Sequence, residues 1–276
     1  MNTNNNVYTV VYTTIVVVIV AAVLAFVSQK LGPMQRANEK AETISQILTA
    51  AQFGEKEHWK EIGNAQTIKF FEENINGSAA VLSTSDLKAL NYKIKDGSIS
   101  SEELPCYSFT NGVSVLPIYG AGLWGPVWGY IALDSDLETI VGAYFDHDSE
   151  TPGLGGKIKD DPSFRAQFAG KKVIYGQGEV FSIVKGGAPE GKENAVDAIT
   201  GATMTSKGLN AAVNTWFDAY RQFFGKAALS GHCCGRHGHA EGECCCGGEG
   251  HCTEGSECCG EGQEGCCNEN NKAEEE

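Results

Sequence analysis

Basic residues are scarce. Lys and Arg number 21 against 35 Asp and Glu in 276 residues, a formal net charge of −14. A protein that works on nucleic acid needs a basic face, so that class is excluded. Cysteine is almost missing from the first 230 residues: of 11 in the chain, only Cys106 lies outside the last segment. One thiol cannot close an internal bridge, so the body is not a disulfide-stapled fold. The body has only two histidines, His58 and His147, and neither stands in a nucleophile-and-base constellation. The string FDHDSE puts Asp146, Asp148 and Glu150 around His147. It reads as a solvated turn in preference to a cation site. No dinucleotide fingerprint sits between a strand and a helix, so nothing here points to a dinucleotide-binding fold.

Charge is also missing from the start. Val7 to Val27 holds no Asp, Glu, Lys, Arg or His. A helix of that length spans roughly 30 Å, the thickness of a bilayer core. A cleaved signal peptide would want a basic leader, and MNTNNN has neither Lys nor Arg. We therefore expect an uncleaved transmembrane anchor over residues 1–32. Lys30, Arg36 and Lys40 follow it, which weakly favours a cytoplasmic side for what comes next. With no charge inside the span, this helix alone offers no ion path.

Residues 33–230 read as one domain. After Pro33, Ala41, Ile44, Ile47, Leu48 and Ala51 recur at helical steps, and a shorter helix is expected over Ala65 to Asn74. The strings VSVLPIYG, PVWGYIALD and ETIVGAYFD are β-branched and aromatic runs cut by Gly, Pro and Asp, the pattern of strands. PSFRAQFAG predicts a short helix, and KKVIYG and VFSIVKG predict further strands. A last helix from near Thr205 to Phe224 puts Leu209, Val213, Trp216, Phe217, Tyr220 and Phe224 on one face. Helices, then strands, then a helix predict an α+β domain with a mostly antiparallel sheet and flanking helices.

Residues 231–276 form a different kind of segment. They hold 11 Glu against Arg236 and Lys272, a balance of −9 that leaves only −5 for the rest. Their thiols are Cys233, Cys234, Cys244, Cys245, Cys246, Cys252, Cys258, Cys259, Cys266 and Cys267, with His232, His237, His239 and His251 among them. Apart from cysteine there is little apolar surface, which predicts a disordered tail. Thiolate and imidazole suit soft metals, but the repeated Cys-Cys spacing is not that of a zinc ribbon. Soft-metal binding and a plain low-complexity extension both stay open.

The stretch that bears chemistry is DAITGATMTS, Asp197 to Ser206, directly ahead of the last amphipathic helix. A helix start offers free N–H groups and partial positive charge to an anion. Gly201 permits a left-handed or closely approaching backbone. Thr200, Thr203, Thr205 and Ser206 can donate to phosphate oxygens, although an ordinary N-cap accounts for hydroxyls here equally well.

DAITGAT resembles the flavinylation motif of the covalent FMN-binding domain family. The resemblance implies that Thr203 carries FMN through a phosphoester. It also implies that Asp197, Thr200, Gly201, Ala202 and Thr205 frame the attachment. Two further strings, YGAGLWGPVWGYIAL (Tyr119 to Leu133) and ETPGLGGKI (Glu150 to Ile158), make the chain similar to the C-subunit family of sodium-translocating NADH:quinone oxidoreductases. The likeness runs from the anchor to about Phe224. Within it, Thr151, Leu154 and Gly155 are expected beside the flavin ring, and Leu123 and Trp124 on its other side. The implied function is electron transfer through covalent FMN in a sodium-pumping, NADH-oxidising, quinone-reducing membrane complex. The implied partners are the other subunits and a flavin transferase. The implied location is the inner membrane, single-pass, with the FMN domain on the periplasmic side. Three alternatives remain: the G subunit of an Rnf-type complex, a membrane-anchored soft-metal-binding protein, and a flavin-independent structural subunit.

Overall fold

The computed structural model describes residues 6–77, 80–175 and 178–230, with side chains as far as residue 222. In chain order the elements are α1 (Asn6–Ala50), α2 (Lys56–Ile62), α3 (Asn64–Asn74), α4 (Thr84–Asp96), β1 (Tyr107–Ser108), β2 (Ser114–Ala121), β3 (Pro126–Leu133), β4 (Ile140–His147), α5 (Lys157–Asp160), α6 (Pro162–Ala166), β5 (Ser182–Val184), β6 (Ala195–Asp197) and α7 (Thr203–Ser230). The expected α+β class is the observed one. Strands β1 to β4 form an antiparallel sheet in sequence order, and β5 pairs with β6 in parallel.

Helix α1 joins two segments that the sequence separates. Its first part is apolar and exposed, and among the described residues it is the one helix long and apolar enough to cross a membrane. It then passes through Gly32 and Pro33 without a break. Pro33 has no N–H to donate, and interior Pro costs about 3 kcal/mol in a helix, so this is the weakest point of α1. Beyond it, Ile44, Ile47 and Leu48 are fully buried with Trp59, Phe71, Tyr107, Phe109, Val115, Tyr130 and Tyr144. Each such side chain contributes roughly 1.5–3 kcal/mol. Gln46 adds a polar tie, donating to the buried Asp146 carboxylate at 3.0 Å, which also meets Lys159 at 2.8 Å.

Strands β2, β3 and β4 match the three expected runs within a residue or two. The strand expected at KKVIYG is not found. Lys172 makes only an isolated bridge to Thr139. The amides here donate to Glu193, Glu138 and Val180 in turn, so no single neighbour supplies a ladder. Helix α4 was not expected, although Ser83 and Asp86 form a reciprocal cap and Gly97 closes it at φ 75°.

Helix α7 starts two residues earlier than expected and lies close on β2. A Cβ at Gly120 would strike Ala212, and one at Gly208 would strike the Ala121 carbonyl. Trp216 Nε1 donates to the Tyr119 carbonyl at 2.9 Å. Asn210 accepts the Ile183 amide at 2.7 Å, and Asn214 Nδ2 donates to the Phe181 carbonyl at 2.7 Å. These side chains hold β5 to the helix. The chain divides into two compact units at Asp218/Ala219, and every contact above lies in the first. In the second, the described backbone is the end of α7. The side chain of Phe224, the tail and its ten cysteines lie outside the described residues.

Candidate FMN site

Three segments far apart in sequence meet at the start of α7. The first is the loop Gly122 to Gly125, which closes the β2–β3 hairpin after the Ala121–Pro126 pair, with the Gly122 amide donating to the Gly125 carbonyl at 2.8 Å. The second is the turn from Glu150 to Gly156, in which the Thr151 carbonyl accepts the Leu154 and Gly156 amides at 3.1 and 3.0 Å. The third is Ile199 to Ser206.

Glu150 joins them. Its side chain is buried, at 4% exposure. One carboxylate oxygen accepts the Leu123 and Trp124 amides at 2.7 and 2.9 Å. The other accepts the Thr205 hydroxyl at 2.6 Å. Its own amide donates to His147 Nδ1 at 3.2 Å. Burial pushes the carboxyl up, but the Thr205 hydroxyl and the Trp124, Leu123 and Gly125 amides more than offset this and hold it below its ordinary range. Neighbouring glycines make room. A Cβ at Gly122 or at Gly155 would collide with the Glu150 carboxylate.

The hydroxyls at the helix start have distinct fates. Thr205 is buried and committed to Glu150. The Ser206 hydroxyl is buried and accepts the Ile199 amide at 3.2 Å. Both hydroxyls stitch the turn to the body: Thr205 spends its proton on Glu150, and Ser206 accepts an amide. Thr203, first residue of α7, is half-buried, and its hydroxyl has no partner among the described residues. Ala202 is buried just before it, and its carbonyl accepts the Ser206 amide at 2.9 Å. Thr200 is exposed. Gly201 has φ +83°, and a Cβ there would lie 3.0 Å from Leu154 Cδ2. That contact brings the second and third segments together.

These three segments also carry exposed apolar side chains. Leu123, Trp124, Leu154 and Met204 are 50%, 68%, 46% and 55% exposed. Met204, to which the sequence pattern assigns no role, stands beside Thr203 in the chain. Thr151 is exposed at the head of its turn. Asp197 is placed differently. Its carboxylate accepts the Ala188 amide at 2.6 Å and so shapes the preceding turn. Trp128 packs on the core instead of joining the surface cluster. The carboxylates near His147 have separate partners: Asp146 pairs with Lys159, Asp148 holds Ser149, and Glu150 takes amides. Among the described residues no group of three or more His, Cys, Asp or Glu side chains is arranged to hold a metal.

Comparison with known proteins fits this geometry. The FMN-binding domain family model matches residues 122–218, the span from the loop to the middle of α7. The C subunit of the Na(+)-translocating NADH-quinone reductase of Yersinia pestis is 46% identical over 104 residues, 37% of this chain and 38% of that one. The same subunit of Vibrio vulnificus is 41% identical over 115 residues, 40% of this chain and 45% of that one. The chain thus spans about two fifths of the length of these curated relatives. The crystal structure of the corresponding subunit from Parabacteroides distasonis superposes with a TM-score of 0.58 at 30% identity, covering 70% of this chain and 96% of that one. Shewanella oneidensis NqrC gives a TM-score of 0.52 at 26% identity, covering 70% and 100%. With an FMN-binding domain matched over residues 122–218, and with 30% identity over nearly all of the Parabacteroides protein, the chain belongs to the NqrC family, the C subunits of Na(+)-translocating NADH-quinone reductases.

Proposed function

We propose that the chain is a membrane-anchored electron-transfer subunit that carries FMN as a phosphoester on Thr203, within a sodium-pumping NADH:quinone oxidoreductase. One observation carries the reading. Of the three hydroxyls in the first turn of α7, those of Thr205 and Ser206 are committed to protein groups and that of Thr203 is not. The residues present fit the group. The N–H groups of Thr203, Met204 and Thr205 at the helix start have no intrahelical acceptors and favour a phosphate there. Leu123, Trp124, Leu154 and Met204 offer apolar faces that otherwise stay in water, and an isoalloxazine ring is flat and largely apolar. Gly201 and Gly155 keep the backbone close.

When bound, FMN supplies one- and two-electron redox chemistry. The chain's own part is to fix the phosphate at the helix start, to hold apolar side chains against the ring and to limit water there. Attachment needs an activated donor. Thr203 Oγ forms a bond to phosphorus as a phosphoanhydride bond of a flavin nucleotide breaks, and its proton leaves with the released phosphate group. A separate flavin transferase would catalyse that transfer. NADH oxidation and the ion path belong to other subunits, since the sequence has no dinucleotide fingerprint and Val7 to Val27 holds no Asp, Glu, Lys, Arg or His.

In this reading the anchor is residues 1–32 in the inner membrane, and residues 33–230 form the FMN domain on its periplasmic face. Lys30, Arg36 and Lys40 lean the other way, but three dispersed charges are a small bias, and folded domains translocate regardless of such charges. A phosphatase fused after Phe224 should be active in intact cells. Activity only when the reporter is held in the cytoplasm would reverse the orientation. For FMN, the test is chain purified from its native host, denatured and viewed under ultraviolet light. Fluorescence should stay with the polypeptide, vanish in Thr203→Ala and persist in Thr203→Ser. A dark wild-type band would refute the reading.

A further inference from the structure

We propose that Glu150 is the positioning residue of this site: its carboxylate sets the Leu123–Trp124 loop and the start of α7 in one fixed arrangement around Thr203, and so decides how the flavin ring is held. The proposal rests on the FMN reading above and concerns a side chain that touches the ring's neighbours and acts through them.

The chemistry of Glu150 is unusual for a buried carboxylate. No Lys, Arg or His ion pair to it is found among the described residues. A buried charge without a counter-ion is costly unless hydrogen bonds replace the lost water. Glu150 obtains them from two loop amides and one helix hydroxyl, donated by segments 26 to 55 residues away. Its two oxygens face different segments, so the carboxylate is a two-ended acceptor. A glutamine would keep its oxygen on the loop amides but turn the Thr205 hydroxyl from donor to acceptor, and it would replace charge-assisted bonds with neutral ones about half as strong.

Two glycines give independent support. Gly122 lies on the loop and Gly155 on the turn, and a side chain at either would displace the same carboxylate. The backbone is cleared from both sides for this one group. Its bonds reach the exposed apolar residues directly. The amides it accepts are those of Leu123 and Trp124 themselves, and the hydroxyl it accepts belongs to Thr205, two residues beyond Thr203. The last bond also withdraws the nearest competing threonine from the attachment position.

The test uses full-length chain, purified with its flavin in detergent, as wild type, Glu150→Gln, Thr205→Val and Asp146→Asn. Thr205→Val keeps both loop bonds and the residue's shape and removes only the donated hydroxyl. Asp146→Asn is the control, a second buried carboxylate tied to Gln46 and Lys159. Flavin per chain, flavin fluorescence yield, visible circular dichroism of the flavin and melting temperature are measured. Glu150→Gln and Thr205→Val should at least halve the flavin dichroism and raise its fluorescence at least twofold, because Trp124 is no longer held as a quencher. Asp146→Asn should lower the melting temperature and leave both flavin signals as in wild type. If Glu150→Gln does not fold, Thr205→Val decides alone. Wild-type flavin signals in Glu150→Gln, or equal changes in Asp146→Asn, would overturn the proposal and leave the FMN reading standing. Wild-type chain without FMN would overturn that reading and this proposal with it.

Discussion

Replacing Gly208 with alanine should destabilise the protein, against the ordinary rule for helices. In a helix interior, Gly→Ala normally gains about 1 kcal/mol. Gly208 lies in α7 where the helix rests on the end of β2. An added Cβ would overlap the Ala121 carbonyl oxygen and lie 3.1 Å from its carbon and 3.2 Å from Gly122 Cα. All three are backbone atoms, which cannot rotate aside. Overpacking typically costs 1–3 kcal/mol, and rigid neighbours place this case near about 3. Set against the propensity gain, the net loss is about 2 kcal/mol. For a domain of this size that lowers the melting temperature by roughly 4–8 °C. The strain also pushes on the loop bearing Leu123 and Trp124, so the flavin signals should change with it. Thermal unfolding by circular dichroism of the full chain is the assay. Ala211→Gly, at an exposed position of the same helix, calibrates the propensity and should lose about 1 kcal/mol. A Gly208→Ala protein more stable than wild type would refute the close approach of α7 to β2.

Three further outcomes are expected. The folded-state carboxyl of Glu150 is held below its ordinary range, so its contribution is present above that range and lost as pH falls through the folded value. Melting temperature should therefore fall less steeply with acid in Glu150→Gln than in wild type, and parallel curves would count against the buried bonds. Leu48→Ala, in the fully buried part of α1, should cost about 2–5 kcal/mol; a change below about 1 kcal/mol in chemical denaturation would mean that α1 is not part of the core. Deleting residues 231–276 should leave flavin content and melting temperature unchanged, since a segment with 11 Glu and little apolar surface beyond cysteine has small means to pack; a drop of more than about 5 °C, the scale of a 1–2 kcal/mol loss, would show that it does.

Legibility in the sequence followed the range of the interactions. Strands β2, β3 and β4 were plain because each is a continuous run of eight residues with Gly, Pro or Asp at its ends. Strand β6 was not, since three residues carry no period and its parallel partner lies eleven residues back. At KKVIYG, composition promised a strand that the scattered backbone bonds do not make. The continuity of α1 was hidden by Pro33, whose local penalty is outweighed by the packing of Ile44, Ile47 and Leu48 beyond it. Family resemblance pointed to the segments that bear Thr203, Gly201, Leu154 and Trp124, and Glu150 ties those segments together in the structure. The role of Glu150 was not legible. Its partners are non-local, and FDHDSE reads as a solvated turn until the fold runs Phe145 to His147 into β4 and buries Asp146 and Glu150. The glycines at 122 and 155 were the available signal, because each leaves space that only a neighbour can fill.

The central claim is that Thr203 alone carries the flavin. It is tested most directly by intact mass and peptide mapping of chain purified from its native host. The account predicts one FMN per chain on the peptide containing Thr203, and none in Thr203→Ala. Native chain with no added flavin mass, or flavin mapped to Thr200, Thr205 or Ser206, would contradict it.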